Sequence, residues 1–132
     1  IMHNRPKAEY GHFLIDMKKD LQRSLMLADA AGIARDQIIL DPGVGFGKTY
    51  EQNLAVLAHL DTFLDFELPL LLATSRKSVI GLTLDLPVEE REEGTMVTSV
   101  LAALNHWDMV RVHDVEKNVR ALRMTEKIMS LQ

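Results

Sequence analysis

Pro69-Leu70-Leu71-Leu72-Ala73-Thr74-Ser75-Arg76-Lys77-Ser78 is a short apolar run that stops abruptly at hydroxyls and two cations. The apolar part, Pro69 to Ala73, reads as a strand covered on both faces, because a half-exposed strand would alternate apolar with polar residues. The residues that follow would be costly to bury and are useless as packing, so they mark an open strand end. The same arrangement recurs three times. His3-Asn4-Arg5 ends a strand expected over Ile1 to His3, Asp41 follows one over Gln37 to Leu40, and Arg111 and His113 close one over Met109 to His113.

Between these strands, apolar residues recur every three or four positions, the spacing of one helix face. Leu14, Met17, Leu21, Leu25 and Ala28 form the first stripe, with Gly32 where a helix would cap out. Thr49 with Gln52 is a capping box that opens a second helix carrying Leu54, Leu57, Leu60 and Leu64 on one face. A third is expected from Thr95 onward with Val97, Val100, Leu101 and Leu104 inward, after the acidic lead-in Glu89 to Glu93. Asp114 caps a fourth that would bury Val115, Val119 and Leu122.

The order βαβαβαβα predicts an α/β fold with a parallel sheet, either doubly wound or a (β/α) barrel. The strand ends favour the barrel, because there all four would open onto one face, where active sites are built.

Composition narrows the function. The 132 residues are 47% hydrophobic, enough for one compact domain, and nothing in them resembles an internal repeat or a linker. A net charge of -4, from 19 acidic and 15 basic residues, supplies no basic field for nucleic acid. No cysteine is present, which removes disulfides and thiolate chemistry and suits a cytoplasmic location. Apolar runs such as Leu70 to Ala73 are far shorter than the roughly 18 residues of a membrane span. The chain opens on Ile1-Met2-His3, strand-like and without an initiator methionine, as a piece of a longer protein would.

Asp41-Pro42-Gly43-Val44-Gly45-Phe46-Gly47-Lys48-Thr49 suggests nucleotide binding at first sight. It lacks the first glycine of a phosphate-binding loop, where Pro42 stands, and the third glycine of the dinucleotide fingerprint, where Lys48 stands. Glycines beside a strand-end carboxylate instead suit a flat heterocycle: the backbone can approach its face, and Asp41 can accept two parallel N–H bonds from its edge. Ser75-Arg76-Lys77-Ser78 before an apolar stretch reads as an anion site, or more blandly as a solvated helix start. Alternation puts Arg111 and His113 on one side of their strand, opposite Val110 and Val112. Two such cations facing inward need an anion, unless a neighbouring carboxylate pairs with them. His12, His59 and His106 have no such setting, and Met17, Met26, Met96, Met124 and Met129 sit at helical positions as core filler.

Ile1 to Arg5, Asp41 to Lys48, Thr74 to Ser78 and Arg111 to Asp114, in this order and spacing, resemble the four signature segments of the dihydropteroate synthase family. The resemblance implies a (β/α)8 TIM barrel of which this chain carries strands and helices five to eight. It also implies condensation of 6-hydroxymethyl-7,8-dihydropterin pyrophosphate with p-aminobenzoate to give dihydropteroate and pyrophosphate. Magnesium would help the leaving group, with its protein ligand on the first strand rather than in this chain. The whole enzyme would be a homodimer and a sulfonamide target. By the same resemblance, Asp41 holds the pterin's amino-pyrimidine edge, with Met2 against the ring face and Gly45 in the pocket. Lys77 bonds the pterin and borders p-aminobenzoate, which Ser75 and Phe46 also approach. Arg111 and His113, with Arg76 beside them, would hold the pyrophosphate.

Two rivals stand beside this reading. One is another pterin-binding barrel, such as a methyltetrahydrofolate-dependent methyltransferase, although a methyl donor brings no pyrophosphate for Arg111 and His113. The other is a non-catalytic barrel half that serves as a binding module. A chain with half a barrel is expected to be inactive alone and to associate through its open strand edges.

Overall fold

The structure is a computed structural model and describes residues 7–132. The strand expected over Ile1 to His3, and Met2 with it, lie outside the described residues.

Helix α1, Lys7–Ala30, follows its stripe: Leu14 and Met17 are buried, and Leu21 and Leu25 pack against the core. It ends as the Gly32 signal requires. Gly32 takes a φ of +82°, its N–H donates to the Asp29 carbonyl at 2.9 Å, and the Ile33 N–H reaches back to the Ala28 carbonyl at 3.0 Å. These are the two crossed bonds of a Schellman cap. Helix α2, Tyr50–Ala58, starts on the Thr49/Gln52 capping box, with both reciprocal bonds present. It is shorter than expected. After Ala58 the chain tightens into a 3-10 stretch, Leu60–Phe66, so Leu60 and Phe63 are fully buried while Leu64 turns outward.

The strands are also shorter than their apolar runs. Arg35–Gln37 is a 3-10 turn, and the segment expected over Gln37 to Leu40 contributes one parallel bridge, Leu40 to Leu70. Strand β1 is Leu71–Leu72 and strand β2 is Met109–Val110, paired in parallel with Leu71 opposite Met109. Pro69 has no N–H for a ladder, and its carbonyl accepts from the Leu40 N–H at 2.9 Å. The three segments therefore lie side by side and point the same way, joined by helical crossovers as parallel strands must be.

Helix α3, Ser78–Leu84, follows β1 directly, and Val88–Glu90 makes a 3-10 turn before α4, Glu92–Leu104. Helix α5, Val115–Met129, starts on Asp114, whose side chain accepts from the Lys117 N–H. The inward faces of α4 and α5 correct the apolar reading. Val97 is 58% exposed and Val115 60%, Leu104 and Val119 also face outward, while Thr95, Thr98, Ser99 and Ala102 of α4 and Asn118 of α5 are buried. The two helices meet over hydroxyls and an amide: Ser99 Oγ donates to Asn118 Oδ1 at 2.8 Å, and Asn118 Nδ2 donates to the Asp114 carbonyl at 2.8 Å and to Glu92 Oε2 at 2.7 Å. The Ser99 and Asn118 side chains tolerate that burial because each finds a partner, whereas Glu92 Oε1 is buried without one. Met26 and Met124 are likewise exposed rather than core filler, whereas Met17 is buried.

The core runs from α1 through Val56, Leu60, Phe63 and Phe66 to Leu40, Leu70, Leu72, Val79, Ile80 and Trp107. The Phe63 and Trp107 rings meet edge to face, centroids 6.0 Å apart, and the indole N–H donates to the Leu60 carbonyl at 2.9 Å. This packing fixes the strands from below and leaves the loops at their C-terminal ends free to carry chemistry. No helix among the described residues is long and apolar enough to cross a membrane.

Candidate active site

The loop from Asp41 to Thr49 is held by side chains that bond its backbone. Asp41 Oδ1 accepts from the Gly43 N–H at 2.8 Å, and Asn53 Oδ1, from the first turns of α2, accepts from the Gly45 N–H at 2.8 Å. Lys48 Nζ donates to the Gly43 carbonyl at 2.8 Å and closes the loop on itself. Gly45 is required twice over. Its φ is +88°, and a Cβ there would stand 3.0 Å from Lys77 Cδ.

Lys77 reaches across from the end of β1 into this loop. Its Nζ donates to the Val44 carbonyl and lies 4.6 Å from the centroid of the exposed Phe46 ring, a cation–π contact. Burial lowers the Lys77 pKa below the ordinary lysine range; Asp41 opposes this, and Arg111 and Lys48 lower it further. Burial likewise lowers the pKa of Lys48, against the pull of Asp41. The three cations and the one carboxylate therefore share one field.

On the other side of Lys77, a cleft of about 430 Å3 is lined by Ala73, Ser75, Lys77, Arg111, Val112 and His113. The Ser75 hydroxyl is engaged from two directions, 2.7 Å from His113 Nδ1 and 3.1 Å from the His113 N–H, which it accepts. Strand alternation thus puts Arg111 and His113 into the same cleft as Ser75 and Lys77. Asp41 does not line this cleft but acts on Lys77 as a nearby charge, and Gly45 and Phe46 lie against the Lys77 side chain. Arg76 is not among the residues lining the cleft.

Sequence reasoning passed over Asn53, which is 3% exposed and carries the Gly45 amide. Its signal was a polar residue amid the apolar positions of α2. Among the described residues no three His, Asp or Glu side chains converge to hold a metal ion.

A model of the family described as pterin binding enzymes matches residues 1–113. The chain belongs to the pterin-binding enzyme family. Among curated members, the dihydropteroate synthase of Clostridium beijerinckii is 50% identical over 129 residues, covering 97% of this chain and 48% of that protein. That of Bacillus subtilis is 48% identical, over 98% of this chain and 46% of its own. The chain spans about half the length of the curated relatives it matches. A solved Yersinia pestis dihydropteroate synthase superposes with a TM-score of 0.86 at 40% identity, over 90% of this chain and 56% of that one. One from Coxiella burnetii, solved in complex with pteroic acid, superposes with a TM-score of 0.88 at 36% identity, over 93% of this chain and 46% of that one. The α/β arrangement of short parallel strands and covering helices is therefore the one found in solved pterin-binding synthases.

The lowered lysine pKa values set a pH dependence. Between the depressed folded-state pKa and the ordinary lysine range, the unfolded chain binds more protons than the folded one, so stability rises with pH through that window. Below that window both amines are charged in the folded and the unfolded chain, and the desolvation cost is present in full. In denaturant titrations, the midpoint of the complete protein should therefore gain on that of its Lys77→Met variant as pH rises through this window. Midpoints that stay parallel across the window would refute it.

Proposed function

We propose that this chain carries strands and helices five to eight of the (β/α)8 barrel of a dihydropteroate synthase, as the C-terminal half of one domain. In this reading the complete enzyme joins dihydropterin pyrophosphate to p-aminobenzoate. The observation that carries the reading is the convergence of Ser75, Lys77, Arg111 and His113 on one cleft, with Lys77 also bonded to the loop that follows Asp41. The relatives' names support it, and so does the pteroic acid bound to the Coxiella burnetii enzyme, which unites a pterin with a p-aminobenzoate unit.

The chemistry suits these groups. Breaking the C–O bond to pyrophosphate leaves positive charge on the pterin methylene, which the ring nitrogens share, so the enzyme's main tasks are to hold the departing anion and to place an amine. Arg111 is permanently charged and offers a fork of donors for phosphoryl oxygens. His113 is set by Ser75: the hydroxyl oxygen accepts the His113 amide and lies 2.7 Å from Nδ1, which fixes the ring and leaves Nε2 as the ring nitrogen not engaged by Ser75. Lys77 lies between the two halves of the site and would donate to the pterin while bordering p-aminobenzoate, whose ring Phe46 would meet and whose carboxylate would lie near Ser75. Asp41 keeps Oδ2 for the pterin's amino-pyrimidine edge after Oδ1 takes the Gly43 amide, and Gly45 lets the ring come close. The attacking aromatic amine is neutral and sheds its proton after the bond forms, so no strong base is required. Homodimerisation and a cytoplasmic location belong to the same proposal for the complete enzyme.

The test is direct. The complete protein should release pyrophosphate and form dihydropteroate from the two substrates, and the 132-residue chain alone should do neither. Asp41→Asn in the complete protein should weaken pterin binding in calorimetry. If the complete protein fails to turn over these substrates, the reading is lost. Turnover from methyltetrahydrofolate instead would favour the methyltransferase.

A further inference from the structure

The turn that presents Ser75 and Lys77 is built around an unfavourable residue. The Lys77 N–H donates to the Thr74 carbonyl at 3.0 Å, closing a tight turn whose third residue, Arg76, has a φ of +59°. That position ordinarily takes glycine, because a Cβ is disfavoured in the left-handed region. A strained turn persists only where its surroundings hold it. Here both backbone groups of Arg76 are taken by the start of α4. Thr95 Oγ1 accepts the Arg76 N–H at 3.1 Å, and Arg91 Nη1 donates to the Arg76 carbonyl at 2.9 Å.

The two clamping residues are themselves fixed. Thr95 is fully buried, and its hydroxyl donates to the Arg91 carbonyl at 3.0 Å. Arg91 Nε donates to the Leu86 carbonyl at 3.0 Å, and its guanidinium lies over Gly81, where a Cβ would come within 2.2 Å of Cζ. Neither residue lines the cleft.

We propose that Thr95 and Arg91 are positioning residues for the active site: they hold Arg76 in the left-handed turn that aims Ser75 and Lys77 into the cleft. The proposal deepens the synthase reading and rests on it for its kinetic readout. It accounts for a buried threonine and a half-buried arginine on a helix that otherwise serves packing. Displacing the turn moves Ser75, the partner of His113, and Lys77 together, and small displacements of such groups are expensive in rate.

Three variants of the complete protein test it. Thr95→Val keeps the shape and removes the acceptor, and is expected to lower kcat/KM about tenfold. Thr95→Ser restores the hydroxyl and should recover most of that loss. Thr98→Val is the matched control. It loses a buried hydroxyl bond of the same helix, to the Thr95 carbonyl at 2.7 Å, without touching the turn, and should stay within about twofold of the parent. Hydrogen exchange of the peptide 74–78 gives a readout independent of activity: it should accelerate in Thr95→Val and not in Thr98→Val. If Thr95→Val does not fold, Arg91→Lys, which keeps the charge but loses the fork spanning two carbonyls, carries the same expectations. Equal kinetic losses in Thr95→Val and Thr98→Val, or unchanged exchange of the turn, would overturn the clamp. Loss of turnover in the parent would instead strike the synthase reading and leave the exchange test standing.

Discussion

Lys77→Ala in the complete protein is expected to lower kcat/KM by a hundredfold or more, on the scale of about 10² to 10³ seen when one preorganised donor is removed from an active site. The position of the amine argues for so large an effect. Nζ bonds the Val44 carbonyl, lies over the Phe46 ring and feels the charges of Asp41 and Arg111, and the side chain also lines the cleft, so it joins the proposed pterin loop to the anion cleft. Its removal unties the loop as well as the donor. Lys77→Arg should not restore activity, because a planar guanidinium does not reproduce the compact point donor that the ammonium presents to the Val44 carbonyl. The variant loses the bond to the Val44 carbonyl and the contact with Phe46 together with the donor, so stability must be read beside the rate. Steady-state kinetics with both substrates, beside a thermal melt, decide the matter. An alanine variant within threefold of the parent would remove Lys77 from the machinery.

Phe63→Ala is expected to cost about 3–5 kcal/mol, the usual range for emptying a large buried aromatic site. Phe63 is 1% exposed, packed among Leu60, Phe66 and Trp107 beneath the strands. Its edge-to-face contact with Trp107 adds to the area it buries, and the indole is pinned by its bond to the Leu60 carbonyl. Such a site collapses poorly, because Trp107 cannot follow the cavity without breaking that bond. Phe63→Leu should recover roughly half of the loss by refilling most of the volume. Denaturant midpoints read both, and a loss below 1 kcal/mol for Phe63→Ala would show that this cluster is not the centre of the core.

Much of this architecture was legible beforehand. The α1 stripe, the Gly32 cap, the Thr49/Gln52 capping box and the Asp114 cap all depend on residues within one or two turns of one another, and all appear where local chemistry places them. The grouping of Ser75, Lys77, Arg111 and His113 was legible for a related reason: parallel strands bring their C-terminal ends to one side whatever the details of packing. Strand lengths were not, because a ladder runs only as far as its neighbour does, and Pro69 and the turn at Gln37 shorten both partners. The inward faces of α4 and α5 were legible only in part: Leu101 packs against the core as expected, while Val97, Leu104, Val115 and Val119 face outward. Valines and leucines were expected to face the core, and Thr95, Ser99 and Asn118 took the position instead.

The sequence by itself therefore determined the alternation of strands and helices, the caps that bound them and the set of charged groups at the strand ends, since each follows from near neighbours or from a two-residue period. Only the tertiary structure decided which helix face turns inward, that Asn53 carries the Gly45 amide, and that Thr95 and Arg91 hold the turn at Arg76. Those outcomes turn on polar groups whose partners lie on another element. A hydroxyl or amide is stable in the interior once its bonds are met, and no periodicity along the chain records where such a partner will be.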